Sequence, residues 1–309
     1  MLRGVFPVLS TPFLSDGSCD IASLSRLITY TAQAGAPGLV YPAIASEFAT
    51  LTSRERHDLV QVVLAESALF NLKVIVGISS ASAEASAALG RQAVGDGAAA
   101  VMLMAPQSVG SNPASIINFF AAACVDLGDT PVILQNAPPP LGSSLPVPVV
   151  LQVLRAVPAI QYVKEENLPC GQRMTMLLDG APASLRGVMG GAGGRFVVEE
   201  YLRGACGSMP SCELVEAHVH MWNMFLDGDV HGARVLLNRL MPLLNLGSIF
   251  RQASVKRVLA HRGLVTSPVF RDSNPVLDSL DCRELDAIIA SLHELMTVTA
   301  ERRIEKDLA

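Results

Sequence analysis

The feature that most constrains the fold is an eightfold alternation of short apolar runs with longer amphipathic stretches. The apolar runs begin roughly every 20 to 35 residues along the first two thirds of the chain. Most of them are continuously apolar, which is typical of parallel strands that are covered on both faces. The predicted strands cover residues 4–8, 38–43, 73–79, 99–105, 131–137, 160–166, 184–189 and 205–210.

The stretches between these runs carry the start and stop signals of helices. Residues 20–35 begin at Asp20, a favourable N-cap residue, and end at a glycine. Thr52 opens the next stretch, and Glu55, three residues later, completes the pattern of a capping box. The other predicted helices of this part of the chain cover residues 82–97, 112–128, 146–157, 171–180, 195–204 and 212–228.

Eight strand-then-helix units in about 225 residues predict an α/β fold, a (β/α)8 barrel over residues 1–228. Glycines weaken the pattern in the last two predicted strands. A doubly wound open sheet is the alternative, but it seldom needs eight regular units, and no GxGxxG opens the first helix. Residues 229–309 are predicted to form a helical extension packed on the barrel, with helices at about 229–246, 249–262 and 282–304.

Composition favours a large covered core and argues against several classes of partner. Half of the residues are hydrophobic, 17% are charged, the net charge is −5 and the pI is near 5.7. The chain has no basic run of the kind that binds nucleic acid. No apolar run reaches the roughly 18 residues of a membrane span, and prolines interrupt the N-terminal apolar stretch that a signal peptide would need. We therefore expect a cytoplasmic protein that acts on a small molecule.

Cysteine and histidine spacing predicts neither disulfides nor a metal site. The six cysteines are scattered without a CxxC pair, so we expect reduced thiols. His218 and His220 lie two residues apart on a predicted helix, where they do not share a face.

Polar residues at the carboxyl ends of the predicted strands are the candidates for chemistry, because barrel enzymes place their working side chains there. Lys164 is the most informative, since it is one of only four lysines and lies in a predicted buried strand. Strand alternation puts it on one face with Glu166. A desolvated lysine loses its proton more easily and becomes a nucleophile. The alternative is an ion pair with Glu165 or Glu166.

Four segments of the sequence together resemble the dihydrodipicolinate synthase / N-acetylneuraminate lyase family. They are "GVFPVLSTPF" near the N-terminus, "EFATLTSRER" after predicted strand 2, "YVKEEN" on strand 6 and "GACGS" at strand 8. Their order and spacing match over essentially the whole chain. The resemblance implies a (β/α)8-barrel lyase in which Lys164 forms a Schiff base with a 2-keto acid and no other cofactor takes part. It also implies a homo-oligomer, a dimer or a tetramer.

The sequence departs from the family pattern at positions that matter for the reaction. Gln135, in "LQNAP", takes the place of a proton-shuttling tyrosine. Ile44 and Ala45 stand where the family has hydroxyl side chains that hold the substrate carboxylate. "LQNAP" and "SEFAT" are similar to the branch that dehydrates L-2-keto-3-deoxyarabonate. Because glutamine cannot act as a general acid or base, its presence favours elimination of water over carbon–carbon cleavage.

The resemblance and the barrel geometry together give a set of candidate site residues. Lys164, Gln135 and Glu47 are predicted to be catalytic. The residues predicted to contact substrate are Ala45, Ser46, Asn136, Gly190, Gly191 and Ser208. For the reaction, dehydration of a 2-keto-3-deoxy sugar acid is the main hypothesis. The alternatives are a pyruvate-releasing aldolase, a deaminase of a cyclic imino acid, and a keto-acid-binding protein without activity.

Overall fold

The computed structural model describes residues 1–271 and 275–299. Eight parallel strands form one sheet in the order β1-β8-β7-β6-β5-β4-β3-β2. The ends of this order are joined through Val8, which bridges in parallel to Val40, the last residue of β2, and to Ser211 beyond β8. The sheet therefore closes on itself, and the predicted (β/α)8 barrel is confirmed. Its strands are β1 Gly4–Val5, β2 Gly38–Val40, β3 Lys73–Gly77, β4 Ala100–Leu103, β5 Val132–Asn136, β6 Ile160–Glu165, β7 Gly187–Gly190 and β8 Gly207–Ser208.

All eight strands coincide with predicted apolar runs, although β1 and β8 are only two residues long. These two strands pair with Gly4 opposite Gly207. A Cβ at Gly207 would lie 2.0 Å from the carbonyl oxygen of Gly4. The glycines that weaken the sequence signal are thus the residues that let these two strands approach each other.

The helices that follow the strands begin at the predicted signals. The Asp20 side chain accepts a hydrogen bond from the Ser23 amide at 2.9 Å, and Thr52 and Glu55 form the predicted capping box. The eight outer helices are α1 Ile21–Gln33, α2 Ser53–Ala68, α3 Ala83–Gly95, α4 Pro113–Ala123, α5 Val147–Ala156, α6 Cys170–Gly180, α7 Val197–Leu202 and α8 Val215–Leu226.

Apolar side chains fill both the helix–strand layer and the inside of the barrel. The inner cluster includes Phe6, Ile75, Met102, Ile133 and Met189, all of them buried. A barrel filled in this way is a packed core rather than a channel. Within the barrel, the open end, where the carboxyl termini of the strands meet the loops, is therefore the place that can hold a small molecule.

Three further helices follow the barrel: α9 Val230–Phe250, α10 Gln252–His261 and α11 Ser279–Ser291. α9 packs on α8, on α7 and on the 3-10 turn Ala192–Gly194, which follows β7. The prediction of a last helix over 282–304 is wrong at both ends within the described residues, because the Asp278 capping box starts α11 earlier and the helix stops at Ser291. Residues 300–304 of that prediction lie outside the described residues.

Candidate active site

Lys164 lies on β6 with its side chain at the open end of the barrel and is only 4% exposed. Its Nζ lies 3.0 Å from Oε1 of Glu166. In the sheet, Lys164 is in register with Gln135 on β5 and with Met189 on β7. The ion pair that was the alternative interpretation of this lysine is therefore present, and it lies within a cavity.

Glu166 connects the lysine to the residue that replaces the family tyrosine. Its Oε2 accepts a hydrogen bond from Nε2 of Gln135 at 2.9 Å, and Oε1 also accepts one from the Ala192 amide at 3.4 Å. A Cβ at Gly191 would lie 2.4 Å from Cγ of Glu166, so that glycine provides room for the carboxylate. Glu166 was not among the predicted site residues, although its position on the same strand face as the lysine was the signal that could have identified it.

Glu165 points to the opposite side of β6 and organises the scaffold behind the site. It is fully buried and accepts hydrogen bonds from the Asn167 amide and from Nδ2 of Asn136, both within 3.0 Å, while Nε of Arg173 lies 3.2 Å away. The amide group of Asn136 also bonds to both backbone groups of Leu145. Asn136 therefore holds the loop after β5 and does not line the cavity, contrary to its predicted contact with substrate.

A cavity of about 450 Å³ opens above Lys164 at this end of the barrel. Its floor and one wall are formed by Lys164, Glu166, Gln135 and the loop 43–45, so Ala45 lies where it was predicted to be. Other walls come from the loop 137–141 and from residues of α9 and α10. The helical extension thus forms part of the site, in a concave and largely apolar space of the size that holds small ligands.

The cavity also contains a second carboxyl group, that of Glu213 in the loop between β8 and α8. Oε1 of Glu213 accepts a hydrogen bond from the Ser211 hydroxyl at 2.9 Å. Burial raises the pKa of the Glu213 carboxyl, which favours its neutral form. Glu166 faces the Lys164 ammonium, whereas Glu213 has no cation bonded to its side chain among the described residues. The site thus combines an ion-paired carboxylate with a buried carboxyl whose surroundings favour the neutral form.

Two predicted polar residues of the strand-2 loop are engaged elsewhere. The Ser46 hydroxyl donates to the carbonyl oxygen of Leu9 at 2.5 Å and accepts from the Ala43 amide at 3.0 Å, so it fixes the loop and does not line the cavity. Glu47 pairs with Lys256 of α10 at 2.5 Å. Both residues hold the rim together, in contrast to the substrate-binding and catalytic roles predicted for them.

Ser208 and Gly190, which were also predicted to contact substrate, face the outer side of the strands. The Ser208 hydroxyl bonds to the Tyr201 hydroxyl at 2.7 Å. A Cβ at Gly190 would lie 1.8 Å from Oε2 of Glu200, so this glycine leaves room for a buried glutamate of α7. The sequence correctly predicted that these residues lie at strand ends. Successive residues of a strand face opposite sides, and these two positions face away from the cavity.

Within the described part of the chain, no group of three or more histidine, cysteine or acidic side chains is arranged to hold a metal ion. His218 is fully enclosed on α8, and burial lowers its pKa to about 4. Among the same residues, no helix combines the length and apolar character needed to cross a membrane.

A (β/α)8 barrel with a buried lysine at the open end of its sixth strand defines a class of enzyme, the Schiff-base lyases. The sequence matches the family model "Dihydrodipicolinate synthetase family" over residues 1–291, and the chain belongs to that family.

Two relatives and one solved structure are distant from this chain in sequence but match almost its entire length. The 4-hydroxy-tetrahydrodipicolinate synthase of Methanothrix thermoacetophila is 28% identical over 93% of this chain and 96% of its own length. The L-2-keto-3-deoxyarabonate dehydratase of Azospirillum brasilense is 27% identical over 95% and 96%. The crystal structure of dihydrodipicolinate synthase from Rhodopseudomonas palustris superposes with a TM-score of 0.86, at 27% identity, over 94% of this chain and 98% of that one.

Proposed function

We propose that the protein is a hydro-lyase that removes water from a 2-keto-3-deoxy sugar acid through a Schiff base on Lys164. The observation that carries the proposal is the chain of contacts from Lys164 to Glu166 to Gln135 within the cavity. One similar protein is an L-2-keto-3-deoxyarabonate dehydratase, which supports the same class of reaction.

Formation of the Schiff base requires a neutral amine and a group that takes up its proton. Glu166 Oε1, at 3.0 Å from Nζ, is placed to accept that proton. The amine then adds to the C2 carbonyl of the keto acid. Glu166 returns the proton to the departing hydroxyl, which leaves as water. The products of this stage are an iminium on Lys164 and an ionised Glu166 beside it.

The ionised Glu166 next removes a proton from C3, which the adjacent iminium has made acidic. The electrons of the C3–H bond form the C2–C3 double bond of an enamine, and the nitrogen becomes neutral. Gln135 holds the other carboxylate oxygen at 2.9 Å and so fixes the direction of the base. It transfers no proton itself, because a carboxamide is neither an acid nor a base at neutral pH.

Expulsion of the C4 hydroxyl completes the elimination and requires an acid. We assign this role to Glu213, which lines the same cavity and whose burial favours the protonated form. Electrons return from the nitrogen, the C3–C4 double bond forms, and the C4–O bond breaks as the hydroxyl takes the Glu213 proton. Hydrolysis of the conjugated iminium then releases the product and Lys164. Two carboxyl groups with opposite protonation states are a recurrent arrangement for such chemistry.

Incubation with 2-keto-3-deoxy sugar acids of five and six carbons, in both configurations at C4, tests the proposal. Borohydride should fix substrate mass on the peptide that contains Lys164, and the released product should be lighter than the substrate by one water. Lys73→Arg, which changes an exposed lysine, is the control and should behave like the wild type. Release of pyruvate or ammonia in place of the dehydrated acid would refute the dehydratase and support the aldolase or the deaminase.

A further inference from the structure

Two arginines line the same cavity as Lys164 without an acidic partner. Arg195 follows the turn Ala192–Gly194, and Arg251 follows the end of α9. That turn and α9 pack on each other, so both arginines belong to one wall of the site. Among residues 1–271 and 275–299, no carboxylate forms an ion pair with either guanidinium.

Most of the donors of these arginines are available to a ligand. Nε of Arg195 donates to the carbonyl oxygen of Ala192 at 3.0 Å. An arginine has five N–H donors in a planar fork that fits carboxylate and phosphate oxygens in pairs. The serine hydroxyls on the cavity wall are engaged internally, since Ser211 donates to Glu213 and Ser248 donates to the carbonyl oxygen of Asn245. The wall is thus better suited to an anion than to a polyol chain.

The backbone at Arg251 is strained in a way that brings the helical extension over the cavity. Arg251 is the single residue between α9 and α10, and its φ of 46° and ψ of −117° lie in a region that favours glycine. Such conformations are found preferentially at functional sites. The sharp turn brings Gln252 and Val255 of α10 to the cavity as well.

The charges on the cavity wall do not balance without a ligand. Lys164, Arg195 and Arg251 contribute three cations, and Glu166 contributes one ionised carboxylate. The Glu213 carboxyl lines the same cavity, but its bonded partner is the Ser211 hydroxyl and not an arginine. The carboxylate of a 2-keto acid accounts for one of these cations, and at least one guanidinium is left without an anionic partner.

We infer that the substrate is a 2-keto acid with a second anionic group, a carboxylate or a phosphate, at the end of the chain remote from the keto group, bound by Arg195 and Arg251. This inference rests on the proposed function, because it places the keto group at Lys164. It changes the expected substrate from a sugar acid with a neutral end to a diacid or a phosphorylated acid. The two arginines are then specificity-determining residues rather than catalytic ones.

Borohydride trapping on Lys164 tests the inference without requiring turnover. The matched probes are 2-oxopentanoate and 2-oxoglutarate, which have the same chain length and differ by one terminal carboxylate, with pyruvate as the reference. We expect half-maximal trapping at a concentration at least tenfold lower for 2-oxoglutarate than for 2-oxopentanoate. Under multiple turnover, 2-keto-3-deoxy acids that end in a hydroxymethyl group, a carboxylate or a phosphate then identify which anion is preferred.

Variants at the arginines assign the preference to this wall. Arg251→Gly removes the charge and keeps the fold, because glycine adopts the positive φ of this position without a steric penalty. Arg251→Lys keeps the charge. Arg251→Gly and Arg195→Gln should each weaken 2-oxoglutarate trapping by about tenfold to 100-fold, in keeping with the loss of a charged hydrogen bond. Pyruvate trapping should change less than about threefold. Arg54→Gln, at a 91% exposed side chain on α2, is the control and should change neither.

The outcomes separate this inference from the proposed function. An equal loss of pyruvate and 2-oxoglutarate trapping in the arginine variants would show that the arginines bind the carboxylate next to the keto group, which would overturn the inference. A wild type that traps 2-oxopentanoate as well as 2-oxoglutarate would also overturn it. Failure to form any adduct at Lys164 with any keto acid would instead remove the proposed function.

Discussion

The protein contains two buried lysine–glutamate pairs that look alike and differ in what surrounds them. Lys164 and Glu166 are 3.0 Å apart, and Lys256 and Glu47 are 2.5 Å apart. Both lysines are almost inaccessible, at 4% and 0% exposure. Burial and pairing are therefore the same in the two places, and neither property distinguishes a nucleophile from a structural cation.

The difference lies in the other neighbours of each lysine. Nζ of Lys256 also donates to the carbonyl oxygen of Val269 at 2.9 Å and lies 4.2 Å from the centre of the Phe13 ring. Its partner Glu47 accepts a hydrogen bond from the Arg271 amide through the second carboxylate oxygen. Lys164, in contrast, faces an open cavity, and its partner is held by an uncharged amide. Desolvation lowers the pKa of Lys256, although this lysine is not part of the cavity lining.

The largest effect is expected when Lys164 is removed. Lys164→Ala should abolish both borohydride adduct formation and turnover, because among the described residues no other amine lines the cavity. Mass spectrometry of the trapped protein is the measurement. Lys256→Met is the matched control, and it should retain an adduct on Lys164. An adduct on Lys256 in the Lys164→Ala protein would contradict the distinction between the two pairs.

The partners of the two lysines should differ in the same way. Glu166→Gln should lower the dehydration rate by about 10²- to 10⁴-fold, the usual contribution of a general base. Exchange of the pyruvate methyl protons in D2O measures the C3 deprotonation directly, and this exchange should slow by a similar factor. Glu47→Gln should leave the exchange rate of the folded protein within about threefold of the wild type. Normal exchange in Glu166→Gln would rule out Glu166 as the base.

The sequence was sufficient for the barrel, and it singled out the lysine that lines the cavity. Continuous apolar runs at regular spacing identified all eight strands, and the scarcity of lysine drew attention to Lys164. Gln135, which also lines the cavity, was singled out from its position near the end of predicted strand 5. These features are local in the sequence, so a single chain without relatives reveals them.

The rest of the site depends on contacts between distant segments. Arg251 reaches the cavity only because the chain turns sharply between α9 and α10. The sequence around Arg251 does not predict that turn. Ser46 and Glu47 occupy the expected loop, but their side chains bond to Leu9 and Lys256 instead of facing the cavity. Whether a polar side chain faces a ligand or a neighbouring backbone is decided by packing, which sequence spacing does not specify.

The Lys256–Glu47 pair should affect the stability of the protein rather than its chemistry. Lys256→Met leaves the Glu47 carboxylate buried without its cation, and loss of one partner of a buried ion pair typically costs about 3–5 kcal/mol. Urea unfolding followed by circular dichroism measures the loss. The double variant Lys256→Met with Glu47→Gln should recover part of it, since the buried charge is then gone. If Lys256→Met alone is as stable as the wild type, the Lys256–Glu47 pair does not hold α10 to the loop after β2.

Glu200 on α7 provides a smaller test, because it is a buried glutamate without an ion-pair partner in the described part of the chain. Both of its carboxylate oxygens lack a hydrogen-bond partner among the described residues, and burial, followed by the charges of Glu199 and Glu166, raises its pKa to about 8. The folded protein therefore keeps this proton between about pH 4.5 and 8, while the unfolded chain releases it.

The consequence is a pH dependence of stability with a definite sign. Because the folded state binds more protons in this window, the free energy of unfolding should fall as pH rises, by at most about 1.4 kcal/mol per pH unit from this group. Glu200→Gln should remove that slope and gain stability over the wild type towards pH 8. Urea unfolding of both proteins at pH 5, 6, 7 and 8 is the measurement. Parallel curves would mean that Glu200 finds a cationic partner, as Glu166 and Glu47 do.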